Sequence, residues 1–404
     1  MEYMLKKSLS IFLTSLLLIS TLTGCWNRRE VNDLGIAVAL GIDKQDDGNY
    51  LVSVQLLNPG EVSSAQSTGY DTPVTTYAAS GKIIFEALRK LTQQLPNRVY
   101  LAHLRMIIIG EEVAREGIYK PIDFLSRDPE MRTDFYVVVT KDNTANEVLN
   151  VLTSHEKIPA NKLFDSLESS SETWAATGKV QLNELMDDIV SEGTQPILTA
   201  VKILGDPDEG KTTENVLTTA PNAILSYDGM AAFRKNKLIG WLNEDESKGL
   251  NYIKGNVKNT IVVTEIEDGQ VGVEVTNTQC EITPHVKNGN PTIDVKITGK
   301  ANVADVNTRL DLMNEHIFNE IEEKTNADIK DTIRQAVEKA QNDFESDIFG
   351  FGERIHKTDP QKWEKLKKEW ADVFPDAAVN ITVDIQVKRA GTITDPFHQE
   401  ISEE

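Results

Sequence analysis

The chain has 404 residues, with 63 acidic against 42 basic side chains and a formal net charge of −21. Such acidity argues against a nucleic-acid binder, whose affinity depends on neutralising phosphates, and it would push the globular part away from an anionic bilayer. With two cysteines the chain has no disulfide framework, and its length exceeds one typical core, so two or three domains are expected.

The first thirty residues are organised like an export signal. Lys6 and Lys7 precede an apolar run from Leu9 to Leu22, which Leu22-Thr23-Gly24-Cys25 closes. The run is about 14 residues long, short of the roughly 20 that span a bilayer. A cysteine directly after two small residues looks like a bacterial lipoprotein box. There the sulfur takes a diacylglycerol, the leader is cut, and Cys25 becomes the first mature residue. Two acyl chains suffice for stable anchoring. Loss of residues 1–24 removes Glu2, Lys6 and Lys7, leaving 62 acidic and 40 basic side chains and a net charge near −22. Trp26, Arg28, Arg29 and Glu30 follow the anchor. Trp26, Arg28 and Arg29 suit either an anionic bilayer interface or, like Glu30, a contact within the fold or with a partner.

Beyond the anchor, strands are expected at 36–40 and 50–56, joined by the turn-rich Asp46-Asp47-Gly48-Asn49. Residues 58–76 are rich in Ser, Thr and Gly and suggest a long exposed loop. A helix is expected from Ser80, with Ile84, Leu88, Leu91 and Leu95 on one face, ending at Pro96-Asn97. A strand at 104–109, a helical stretch to about Leu125 and a strand at 135–140 follow. Asn143 is the expected cap of a helix carrying Val148, Leu149 and Leu152. Residues 155–205 suggest helix ending in a strand at 197–204.

The Asp-, Gly-, Thr- and Pro-rich stretch 205–222 is the expected linker. After it, strands at 223–227, 237–242, 260–266, 271–276 and 292–301 precede a long amphipathic helix over about 305–344. A helix at 360–370 and a strand at 379–387 close the chain. The domain plan is therefore a leader (1–24), an N-terminal α/β region (25–204), a linker, a C-terminal α+β domain (223–392) and a tail (393–404). A division of the first region into about 25–142 and 143–204 stays open. Cys280, in an alternating run, is expected to be a small buried hydrophobe.

Three motif matches mislead. Gly205-Asp-Pro-Asp-Glu-Gly210-Lys211-Thr212 fits a phosphate-loop pattern, but Pro207 has no N–H, and Asp206, Asp208 and Glu209 would repel a triphosphate. Asp43, Gln45, Asp47 and Gly48 imitate a calcium loop, yet its twelfth position is Val54, where a bidentate Glu is required. Gly350-Phe351-Gly352 lacks the third glycine of a dinucleotide turn and suggests a helix terminator. Nucleophile motifs and metal-ligand spacings are missing, so neither enzyme nor cofactor is expected, apart from the covalent diacylglycerol on Cys25.

Cys25-Trp26-Asn27-Arg28-Arg29-Glu30, with Asp33-Leu34 and Gly41-Ile42-Asp43, resembles the start of the Ger(x)C lipoproteins, the C subunits of spore-germination nutrient receptors. Further blocks are Leu101-Ala102-His103-Leu104-Arg105, Gly110-Glu111-Glu112, Asp123 to Arg132, Gly240-Trp241-Leu242, and Gly350-Phe351-Gly352 with Trp363 and Trp370. The resemblance implies an α+β, multi-domain fold of mixed sheets packed with helices. It also implies a non-enzymatic subunit on the outer face of the spore inner membrane, beside a polytopic A subunit and a transporter-like B subunit. Prolipoprotein diacylglyceryl transferase and lipoprotein signal peptidase would mature it. His103, Arg105, Arg127, Asp128 and Arg132 are candidates for a partner-docking surface, or for internal ion pairs holding 123–132 against the sheet. A lipid-anchored solute-binding protein of an importer is the alternative function, although such proteins alternate strands and helices throughout two similar lobes.

Overall fold

The computed structural model describes residues 1–21, 34–58, 72–266, 269–307, 310 and 314–388. The anchor segment with Cys25, Trp26, Arg28, Arg29 and Glu30 lies outside the described residues, as does the tail. A helix, Glu2–Thr21, precedes the body. Among the described residues no helix is long and apolar enough to cross a membrane.

The body is mixed helix and strand, built on two unlike sheets. The first contains β1 (Leu34–Lys44), β2 (Tyr50–Leu57), β3 (Val74–Gly81), β4 (Arg98–Tyr100), β5 (Met106–Ile109), β6 (Tyr136–Thr140), β7 (Ile197–Gly205), β8 (Ala223–Arg234) and β9 (Lys237–Leu242). Its order is β3-β2-β1-β5-β6-β7-β8-β9, with β4 pairing parallel to β1. Strands β1, β5, β6 and β7 run parallel, and antiparallel hairpins extend the sheet at both ends. All four residues of Met106–Ile109 and all five of Tyr136–Thr140 are buried, as central parallel strands require when helices cover both faces. One face packs on helices Ile84–Lys90, Glu111–Glu116, Tyr119–Arg127 and Leu182–Val190. The other packs on Ala145–Asn150 and Pro159–Thr173.

Asp43, at the end of β1, is 4 % exposed. Its carboxylate accepts hydrogen bonds from the backbone N–H groups of Ala145 (2.7 Å) and Asn146 (2.8 Å), pinning the helix Ala145–Asn150 to the sheet. The expected calcium-loop mimic is thus a hairpin turn, in which Asp47 Oδ1 accepts from Asn49 N. Thr144, and not Asn143, caps this helix through a reciprocal box with Glu147. Asn143 instead accepts a hydrogen bond from Ile203 N across to β7.

The stretch expected as a linker is folded. After β7, Asp206 accepts from Asp208 N, so the amide that a phosphate loop would offer is already used. Buried Asn215 donates to the carbonyls of Leu152 and Ala223 and accepts from Ala223 N. The chain then re-enters the same sheet, β8 lying antiparallel to β7. The change of sheet comes later, after the helix Glu244–Lys254, which has a capping box at Asn243/Glu246 and a left-handed stop at Gly255.

The second sheet is β10 (Asn259–Ile266), β11 (Gly269–Lys287), β12 (Asn290–Val306) and β13 (Ala378–Lys388), with β13 parallel to β12. Helix Glu315–Glu338 packs against it through Ile321, Thr325, Ile329, Ile333 and Val337, each four residues on. Asn326 fastens helix to sheet by bonding both the N–H and the carbonyl of Ile385. Three sequence expectations need correction. Strand β3 occupies the end of the expected loop and delays the following helix to Ile84, because Thr75, Thr76 and Tyr77 favour a strand. Strand β11 extends to Lys287, well beyond 276. Residues 305 and 306 end β12 and do not begin the long helix.

Both sheets meet at a buried carboxylate. Asp347 is 3 % exposed, and its Oδ1 accepts from the N–H groups of Phe349, Gly350 and Phe351. Its Oδ2 accepts from Gly352 N (2.8 Å) and Trp370 Nε1 (3.0 Å). Gly350 has φ +81°, and Gly352 lies so close to Trp363 and Trp370 that a Cβ would meet each ring at 2.7 Å. The Gly350-Phe351-Gly352 segment therefore opens the helix Phe351–Thr358, where a terminator was expected. From this nest, Asp347 O accepts Gln195 N and Gly193 O accepts Glu353 N, tying the second unit to the approach to β7.

Asp347→Asn places an amide against two buried donors, Gly352 N and Trp370 Nε1. Each unsatisfied donor costs about 1–3 kcal/mol, so urea unfolding is expected to show a loss of roughly 2–6 kcal/mol; a loss below about 1 kcal/mol would contradict this role. Burial raises the Asp43 carboxyl from 3.8 to about 6, against the lowering effect of the two amides that it accepts. Between those values the folded state binds more protons than the unfolded one. The contribution is therefore fully present below about pH 4 and falls by about 3 kcal/mol as pH rises to about 6. Relative to Asp43→Asn, the wild-type midpoint is expected to fall over that window. A pH-independent difference between the two would refute the assignment.

Candidate functional site

The five charged candidates do not form one surface; the first sheet separates them into two grooves. On the face of helix Pro159–Thr173, His103, Arg105 and Arg132 line a groove of about 610 Å3 with Val38, Leu57 and Phe164. The Arg105 guanidinium stacks 4.1 Å from the Phe164 ring centre and stands 3.7 Å from Asp165. Its Nε is buried with no hydrogen-bond partner. Exposed His103 meets the Tyr100 ring edge-on, and Arg132 pairs with Asp134 at 2.8 Å.

Arg127 and Asp128 lie in the other helical layer, beside a groove of about 580 Å3 between helices Ile84–Lys90 and Tyr119–Arg127. Arg127 grips Asp123, one turn back, through two 2.9 Å bonds, which hold the Asp123 carboxyl below its ordinary value. Asp128 accepts from Glu130 N and shapes the turn after the helix. The ion pairs expected to hold 123–132 against the sheet are thus mostly local. Arg98–Glu130, at 3.2 Å, is the pair that reaches β4.

A third concavity, of about 450 Å3, sits at the carboxyl ends of β1, β5 and β6, where open α/β sheets commonly bind ligands. Its carboxylates serve the fold. Asp43 holds two amides, Glu111 accepts from Arg115 and from Asp142 N, and Glu147 completes the box at Thr144. Among the described residues no three His, Cys, Asp or Glu side chains are placed to hold a metal ion. Cys280 is half-buried on β11, and burial pushes its thiol up to about 11, away from the reactive thiolate. Buried Asp347, and the structural role of Asp43 that the calcium-loop comparison did not reach, are what sequence reasoning missed. A lone Asp in an apolar strand, or before Gly-Phe-Gly, was the signal available.

The fold and the sequence both have relatives. Residues 27–203 match the family model "Spore germination protein N-terminal domain", and residues 228–391 match "Spore germination B3/ GerAC like, C-terminal". Spore germination protein KC of Bacillus subtilis (strain 168) is 30% identical over 398 residues, covering 96% of this chain and 97% of that protein. Spore germination proteins B3 and A3 of the same organism are 24% and 26% identical, over 96% and 95% of this chain and 99% and 97% of their own lengths. The crystal structure of the GerBC protein superposes with a TM-score of 0.52 at 18% identity, covering 87% of this chain and 97% of that one, and so shares the fold. The chain belongs to the Ger(x)C family of spore germination proteins, a non-enzymatic family of germinant-receptor subunits.

Proposed function

We propose that this chain is the lipid-anchored, extracytoplasmic C subunit of a nutrient germinant receptor, held by a diacylglycerol on Cys25 at the outer face of the spore inner membrane. The observation that carries this reading is the near full-length match to spore germination protein KC. The anchor has separate support. The described side chains of helix Glu2–Thr21, residues 1–15, are all exposed, and the hydrophobic clusters of the body begin only at Ala37. Residues 1–15 share no core with the body and can be cut away without cost to the fold. Prolipoprotein diacylglyceryl transferase and lipoprotein signal peptidase are the enzymes that such maturation requires. Polytopic A and B subunits are the proposed partners. The nine-stranded and four-stranded sheets share neither size nor order, so nothing in the fold favours the paired lobes of a solute-binding protein.

Cys25→Ala is expected to abolish incorporation of labelled palmitate and to move the protein out of the detergent phase in Triton X-114 partitioning. Unchanged lipid labelling of the variant would refute the anchor. Around the Arg105 groove we propose a contact with a receptor subunit. Arg105→Ala removes a half-exposed cation stacked on Phe164, a contact worth about 0.5–1 kcal/mol. The fold is therefore expected to stay within about 1 kcal/mol of wild type while co-purification of the polytopic subunits falls. Intact co-purification would place the contact elsewhere.

A further inference from the structure

The groove between helices Ile84–Lys90 and Tyr119–Arg127 combines exposed apolar and aromatic side chains with basic ones. Ile83, Phe85 and Tyr119 are 60, 46 and 59 % exposed at its rim, although they are large and apolar or aromatic. Five basic side chains line it against three acidic ones, a local surplus of positive charge on a chain of net charge −21. Arg98 and Arg127 are neutralised by Glu130 and Asp123. Among the described residues Lys82, Arg89 and Lys120 make no direct ion pair, although Lys82 acts on Glu86 through space, and Arg89 lies 4.7 Å over the Phe85 ring. Cations around exposed aromatic and aliphatic side chains match the interface of an anionic bilayer, where rings sit at headgroup depth and cationic groups meet phosphate.

The course of the chain leads to the same surface. Leu34, where β1 begins, pairs with Arg98, which lines the groove. Nine residue steps separate Leu34 from Cys25, so at most about 30 Å of extended backbone lies between the anchor and this side of the body. Elsewhere the excess carboxylates oppose approach to the membrane. We propose that this groove is the membrane-facing surface of the anchored protein, seating anionic phospholipid headgroups against Lys82, Arg89 and Lys120 with Phe85 and Tyr119 at the interface. The inference rests on the lipid-anchor reading of Cys25 and adds the orientation that the anchor alone leaves free.

The test uses the mature lipidated chain carrying Cys280→Ser, with a nitrobenzoxadiazole label on Phe85→Cys or, as the remote control, on Lys296→Cys in the second sheet. Both labelled positions are exposed. Vesicles of phosphatidylcholine with phosphatidylglycerol are compared with phosphatidylcholine alone. A blue shift and gain of emission are expected for the label at 85 on the anionic vesicles, with none for the label at 296. Adding Lys82→Glu and Lys120→Glu is expected to abolish the shift while the protein stays bound. Each cation near an anionic surface favours the docked orientation by roughly fivefold, so two reversals reduce it by about 20-fold or more. Failure to partition at all would sink the anchor reading. Stable partitioning with no shift at 85, an equal shift at 296, or a shift that appears only when the polytopic subunits are added would each overturn the membrane-facing groove while leaving the anchor intact.

Discussion

The carboxylate of Asp347 is the constraint on which the C-terminal architecture depends. Four backbone amides and an indole N–H converge on two oxygens in a site with almost no water access. Burial alone drives such a carboxyl toward its neutral form, and the five donors oppose that tendency by supplying what solvent would. The geometry also explains the residues around it. Gly350 supplies the positive φ that starts the nest, and Gly352 lets the backbone pass under Trp363 and Trp370. Those rings, with Phe351 and Phe374, form an aromatic wedge closing one end of the core. Asp347 O and Gly193 O also accept bonds between the two units, adding to the hydrophobic core that the two sheets share.

Polar groups elsewhere are similarly spent on architecture. Asp43 fastens a helix to β1, Asn215 closes the excursion between β7 and β8, and Asn326 clasps β13. Asn251 reaches the carbonyls of Ala175 and Thr177, joining the helix between the sheets to the first unit. These side chains hold the two sheets and their helices together. The candidate surfaces are two grooves on opposite helical layers of one sheet. One is dominated by Arg105 on Phe164, the other by Lys82, Arg89 and Lys120 around Phe85.

Elements with strong periodicity were legible. The central strands β5 and β6 and the Asp46–Asn49 turn fall where apolar spacing and turn residues place them, and the long helix was expected with its start about ten residues early. Errors arose where local preference was weak or long-range contact decided. The Thr-rich β3 looks like loop until it is seen paired along β2. Residues 277–287 follow an irregularity in β11, so the strand seemed to stop at 276. The stretch 205–222 has a linker's composition but is held by Asn215, whose partners at 152 and 223 no local pattern predicts.

The sequence by itself determined the chemical character of this protein. It shows a basic then apolar N-terminal stretch closed by Leu22-Thr23-Gly24-Cys25, an acidic body, and blocks such as Gly350-Phe351-Gly352 that mark its family. These are properties of composition and short spacing, which survive without coordinates. Only the tertiary structure decided which residues act together. It parted His103, Arg105 and Arg132, which line the groove beside Pro159–Thr173, from Arg127 and Asp128, which end a helix on the other face of the sheet. It also carried β8 and β9 back into the first sheet and turned an ordinary aspartate at 347 into the joint between the two units, since burial and backbone amides converge there from segments far apart in the chain.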